Sequence, residues 1–182
     1  QSVSFVSSDI EETSTITIDL ESPYALSQIN LHTVDQSDTV PQAYAGDFGF
    51  PNHLTIHGAN QPDFSDAHLL LDFRREGIFD ISPIVMKQLE RIPSRFIRLT
   101  AIEPYSHNST LESGVKTLTT RLGFAEIELF SNGDNVALHK KAISIQGPNS
   151  PDRSISALTD GNNLYGEILP LRDWMLQLSK RH

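Results

Sequence analysis

Apolar and polar residues alternate with period two along much of the chain. Ile16, Ile18 and Leu20 alternate in TITIDL, Ile29 and Leu31 in SQINLH, and Leu54 and Ile56 in HLTIHG. The same rhythm returns at Leu69, Leu71 and Phe73 in HLLLDF, at Ile97 and Leu99 in RFIRLTA, and at Ala125, Ile127 and Leu129 in FAEIELF. Successive side chains of a strand point to opposite faces, so each segment reads as a strand with one buried face. Pro, Gly, Asp and Asn fill the gaps between them. Several strands without intervening helices predict sheet packed on sheet, an all-β sandwich.

Three stretches break the rhythm. SPIVMKQLE, between Asp80 and Glu90, predicts one or two helical turns opened by Ser82 before Pro83. Two long gaps, from about Asp35 to Pro51 and from about Glu103 to Thr120, read as loops of a length that is uncommon in a compact domain and often functional. Phe50, just before Pro51, is expected in the core. Near the C-terminus Ile168, Leu171, Trp174, Met175 and Leu178 fall at helical spacing. This predicts a short amphipathic α-helix over 167–182, serving as a linker toward a further domain or as a helix packed on the sandwich.

Composition narrows the partners. The chain has 182 residues, 38% hydrophobic and 20% charged, enough for one domain with its own core. A net charge of −9 disfavours nucleic acid, which needs a basic footprint, and disfavours docking on anionic lipid. No run of 18 apolar residues is present, so no direct membrane insertion of this segment is expected. Cysteine is absent, which removes disulfides, thiolate metal sites and cysteine nucleophiles. The first residue is Gln1, which reads as a trimmed or processed chain.

Four segments in order then show a family likeness. ITIDLESPYALSQINLHTV resembles the DL-then-strand signature of discoidin-like (coagulation factor type C) domains, and GFPNHLTIHGANQPDFSD the strand and turn that follow it. SRFIRLTA resembles the "aRyvRl" strand and LGFAEIELFSNGDNVAL the closing "aElev" strand. The resemblance implies a jelly-roll, galactose-binding domain-like sandwich. Arg95 and Arg98 bracket Phe96 and Ile97 in it and read as structural. One segment is out of place. A stretch like "NvAlgkp…alvDG…W" precedes the DL strand in the family but here follows the closing strand, as residues 135–166. Either these residues are a circularly permuted first portion that completes the sandwich of residues 1–166, or they begin a second domain. The first is preferred, because termini of such folds lie close together and a half-domain exposes apolar strand faces.

The resemblance also implies a structural calcium between the "DG" loop and the "aElev" glutamate. The matching residues are Asp160 and Glu126, with Asn162 or the carbonyls of the 159–163 loop as further oxygen donors. An Asp-Gly turn beside an ordinary strand carboxylate is the plain alternative. For ligand recognition the two long gaps carry the candidates: Tyr44, Asp47 and Phe48 in the first, Tyr105 and His107 in the second. Apolar walls with a few polar groups suit a sugar.

Other chemistry finds less support. Glu126 and Glu128 share a strand face with Cα atoms about 6.6 Å apart, a spacing open to glycoside hydrolysis. Alternation, however, puts both on a polar, solvent-facing side. His53 and His57 stand about 13 Å apart, too far to share one metal. No HExxH, GxSxG, GxxxxGK[ST] or GxGxxG occurs. The expectation is a non-catalytic binding or sensory module for carbohydrate or cell-surface polymer, within a larger extracytoplasmic (periplasmic or secreted) protein and in contact with its neighbouring domains. The alternatives are a purely structural inter-domain module and a glycoside hydrolase.

Overall fold

A computed structural model describes residues 4–8, 10, 13–34, 49–77, 80, 82–110, 114, 116–170 and 173. In chain order the strands are β1 (Phe5–Val6), β2 (Ser14–Tyr24), β3 (Gln28–His32), β4 (His53–Ala59), β5 (His68–Arg74), β6 (Ile84–Gln88) and β7 (Ser94–Glu103). They continue as β8 (Tyr105–Thr110), β9 (Lys116–Arg121), β10 (Gly123–Phe124), β11 (Glu126–Ser131), β12 (Asp134–Asn135), β13 (Lys141–Ser144), β14 (Asn162–Asn163) and β15 (Gly166–Glu167). A 3-10 helix spans Ile155–Thr159.

Two antiparallel sheets carry the fold. One has four strands in the order β12-β11-β3-β6, the other five in the order β13-β2-β7-β4-β5. Their inner faces share one core. Ile29, Leu31, Ile127 and Leu129 from the first meet Ile16, Ile18, Leu54, Ile56, Ile97 and Leu99 from the second, all 0–1% exposed. These are the alternating positions, so period two sets both the strands and the packing. Phe50 joins the core edge-on to Phe73 and Phe124, with centroids 6.1 and 5.7 Å away. The protein is therefore an all-β jelly-roll sandwich.

Residues 135–166 lie against this same sandwich. β13 pairs antiparallel with β2, from Lys141↔Asp19 to Ser144↔Ile16, and forms the edge of the five-stranded sheet. Ala142, Ala157 and Leu158 are buried there.

Three expectations are corrected. The stretch read as helical turns is strand β6, paired from Gln28↔Gln88 to His32↔Ile84. Its local helix signal yields because the edge of β3 needs hydrogen-bond partners and Val85 needs the core. The second long gap is not a loop but the β8–β9 hairpin, paired from Tyr105↔Arg121 to Thr110↔Lys116. In β5 a bulge opposite Ile56 and His57 shifts the register, so Leu70 and Phe73 are buried while Leu69 is 47% exposed. The first gap at 35–48 lies outside the described residues; of the stretch expected as a C-terminal helix, Glu167 is in β15, 168–170 are not helical, Asp173 is helical, and the rest lies outside the described residues.

Candidate functional site

Alternation in β11 sends Ile127 and Leu129 into the core and Glu126 and Glu128 to the opposite face. That face is not open to solvent. Glu126 is 0% and Glu128 7% exposed, which corrects the expectation of a polar surface. The cover is the turn at 160–167, which includes the paired strands β14 and β15.

The two carboxylates are treated differently. Glu128 Oε2 meets His32 Nε2 at 2.7 Å and accepts from Asn30 Nδ2 at 3.2 Å. Asn163 Nδ2 lies 3.3 Å from His32 Nδ1, so a His32 tautomer that donates from Nε2 satisfies every group in the chain of contacts. Glu126 Oε1 accepts from Gly161 N–H at 3.1 Å, whereas buried Oε2 has no partner. Burial away from water pushes the Glu126 carboxyl up to about 9, against the lowering effect of the Gly161 N–H, with Asp160 and Glu128 adding repulsion.

Gly161 is required at this turn. Its φ is +83°, and a Cβ there would stand 2.9 Å from Leu138 Cδ1. Asp160 Oδ1 accepts from Asn162 N at 2.9 Å and Asn162 Nδ2 donates back to Asp160 at 3.3 Å. Asp160, Asn162 and Glu126 thus sit around one turn. Among the described residues no group of three or more His, Cys, Asp or Glu side chains could hold a metal ion. A hard cation here would draw on two carboxylates and on neutral oxygens. The orphaned Glu126 Oε2 fits that demand, since a buried carboxylate oxygen without a donor calls for a cation or a proton.

Two of the five ligand candidates are placed elsewhere. Tyr44, Asp47 and Phe48 lie outside the described residues. Tyr105 and His107 are on β8, with Tyr105 half-buried. The roots of the two long segments are adjacent. Gly123 N donates to Gly49 O at 2.9 Å, and Asn52 N donates to Glu103 O at 2.8 Å. The described residues that follow the first segment, Gly49 and Asn52, therefore lie beside Gly123 and Glu103, which flank the second.

The remaining polar clusters are structural. Both ring nitrogens of His53 are engaged, by Asp72 at 2.7 Å and Arg74 at 2.9 Å. Arg95 forks onto both oxygens of Asp19 at 2.8 and 3.0 Å, and Arg98 lies 3.7 Å over the Phe64 ring. A pair that the sequence did not nominate is His68 and Ser94, with Nε2 2.8 Å from Oγ. The Ser94 hydroxyl donates its one proton to Ile92 O, and the residue is fully buried. His68 Nε2 then serves as donor, the reverse of a general base.

No family model matches the chain, and no curated protein does. Among the solved structures similar to it at low identity are the following three. One is a fragment from Bacteroides thetaiotaomicron described as a candidate chitobiase, at 16% identity and TM-score 0.44; the match covers 67% of this chain and 63% of that one, less than two thirds of its length. Another is the lectin domain of lectinolysin, solved with Lewis B antigen, at 13% identity and TM-score 0.42, over 68% and 69% of the two chains. A third is CBM32-3 from a family 31 glycoside hydrolase of Clostridium perfringens, at 14% identity and TM-score 0.46, over 71% and 75%.

Proposed function

We propose that the chain is a non-catalytic binding module for carbohydrate or cell-surface polymer, acting within an extracytoplasmic protein and beside other domains of that protein. The observation that carries this is the side-by-side rooting of segments 35–48 and 104–121 at Gly49–Gly123 and Asn52–Glu103. A rigid sandwich then anchors the residues that follow the stretch with Tyr44, Asp47 and Phe48 beside the base of the hairpin with Tyr105 and His107. Ligand sites are commonly built this way, on connections held by a scaffold. No helix among the described residues is long and apolar enough to cross a membrane.

Catalysis finds no machinery among the described residues. Glu128 is committed to His32 and Asn30, Glu126 is sealed under the 160–167 turn, and Ser94 is buried with its proton spent. A hydrolase needs its two carboxyl groups flanking an accessible glycosidic bond.

Calcium belongs to the same reading as a structural ion. Glu126 and Asp160 would hold it, with Asn162 or the carbonyls of 159–163. Its charge would offset the buried carboxylate and fix the turn over β11. A glycan array probed with the intact chain tests the function: saturable binding to a defined set of glycans supports it, and no binding at high micromolar protein favours a purely structural module.

A further inference from the structure

At the far end of β2 lies a cleft that shares only Thr159 and Asp160 with the reading above. It has a volume of about 720 Å³ and lies between the end of β2, the start of β13 and the 3-10 helix. Its polar lining comes from Glu21, His139, Lys140, Lys141, Ser156 and Asp160, and its apolar wall from Ala142 and Ile155. Its β2 residue, Glu21, stands seven residues from Ser14, which pairs with Ala101 near the root of the hairpin. That is about 20 Å at strand rise, so Glu21 and the hairpin root stand at different ends of β2.

Two features of the backbone point to a built site. Glu21 has φ of 67° and His139 has φ of 60°, the left-handed region that glycine fills freely and side chains disfavour. Both residues line this one cleft. Each is also held in place. Asp19 Oδ1 accepts from Glu21 N at 2.8 Å where β2 bulges, and His139 N donates to Thr159 O at 2.6 Å. Thr159 Oγ1 in turn donates to Lys140 O at 2.7 Å. Strain of this kind, maintained by its surroundings, is concentrated at functional sites.

The chemistry of the lining selects a ligand class. Lys140 Nζ is paired with Glu21 Oε2 at 2.5 Å, so that pair is neutral within itself. Lys141 Nζ and the His139 ring make no hydrogen bond or ion pair among the described residues. Two lysines against Glu21 and Asp160 leave no net charge, in a chain that carries −9. The lining offers both donors and acceptors. A ring hydroxyl donates and accepts at once, so a polyhydroxylated neutral ligand satisfies both, while an anion faces Glu21 and Asp160. We infer that this cleft is a second binding site, for a neutral saccharide, formed by the β2 bulge, residues 139–142 and the 3-10 helix.

The test is an amide NMR titration of the intact chain with lactose, cellobiose and N,N′-diacetylchitobiose. The expected result is saturable shifts at His139, Lys141, Ser156 and Asp160 with at least one of the three. His139→Gly should weaken that binding by about tenfold or more, with a melting temperature no lower than that of the parent, since glycine relieves the backbone strain. Lys141→Ala, at an exposed and unpartnered side chain, should weaken it as well. Shifts confined to the hairpin around Tyr105, with both variants binding normally, would overturn this inference and leave the proposed function standing. Shifts at the cleft with a zwitterionic dipeptide but with none of the sugars would overturn it too. Shifts at the cleft alone would support it and count against the loop end as the site.

Discussion

The N–H of Gly161 donates to Oε1 of Glu126 at 3.1 Å, while the other oxygen of that carboxylate is buried without a donor. Thirty-five residues separate the two in sequence. Their contact fixes the 160–167 turn over the outer face of β11.

The first prediction concerns pH. The folded Glu126 carboxyl titrates near 9 rather than 4.5, so between these values the folded state holds a proton that the unfolded state has lost. Stability should therefore fall as pH rises through that window, by at most about 1.4 kcal/mol per pH unit for one proton. Below about pH 4.5 both states are protonated and this dependence ends. Chemical denaturation in chelator from pH 5 to 9 measures it. Glu126→Gln should flatten the curve.

If calcium occupies the turn, it replaces the proton. Added calcium should then raise the melting temperature, most at the alkaline side of the window, and Asp160→Ala should abolish the gain. An unchanged melt with calcium and with chelator would remove the ion from the account.

Gly58 packs directly against Ser94. A Cβ on Gly58 would lie 2.2 Å from Ser94 Oγ, in a region where Ser94 also holds Ile92 O and His68. Gly58→Ala should destabilise the fold by about 1–3 kcal/mol, measured by urea denaturation.

Phe50 is expected to matter more. It is fully buried and meets both Phe73 and Phe124 edge-on. Phe50→Ala should cost about 3–5 kcal/mol, close to the whole stability of a marginal domain. Calorimetry of the variant checks this.

Asp19 gives a pH dependence of opposite sign. The Arg95 hydrogen bonds hold its carboxyl below the usual carboxylate range, with the Glu21 N–H helping. The stabilisation is present at neutral pH and is lost as pH falls through the depressed value. Asp19→Asn should lower the melting temperature at pH 7 and remove that part of the acid sensitivity. It should also loosen the β2 bulge that carries Glu21.

Most of the sandwich was legible in the sequence because its strands bury one face and alternate strictly, as Ile16, Ile18 and Ile97, Leu99 do. Where a strand is chosen by its partner, the sequence misled. Residues 84–88 carry a local helix signal but complete the edge of β3, and the Ser- and Thr-rich stretch after Tyr105 pairs with itself. The bulge that turns Leu69 outward has no composition marker. At the site, the link between Asp160 and Glu126 came from the family likeness and not from spacing. Burial of Glu126 and Glu128 was hidden, since their cover is a turn more than thirty residues later. The cleft was missed because positive φ at Glu21 and His139 leaves no pattern of its own. One signal was available: His139 stands where the motif NvAlgkp has a glycine.

The most direct test of the central claim is equilibrium binding of the intact chain to neutral glycans, with release of new reducing ends followed in the same samples. The account predicts saturable binding with no glycan turnover. Absence of binding to every glycan, or turnover that depends on Glu126 and Glu128, would contradict it.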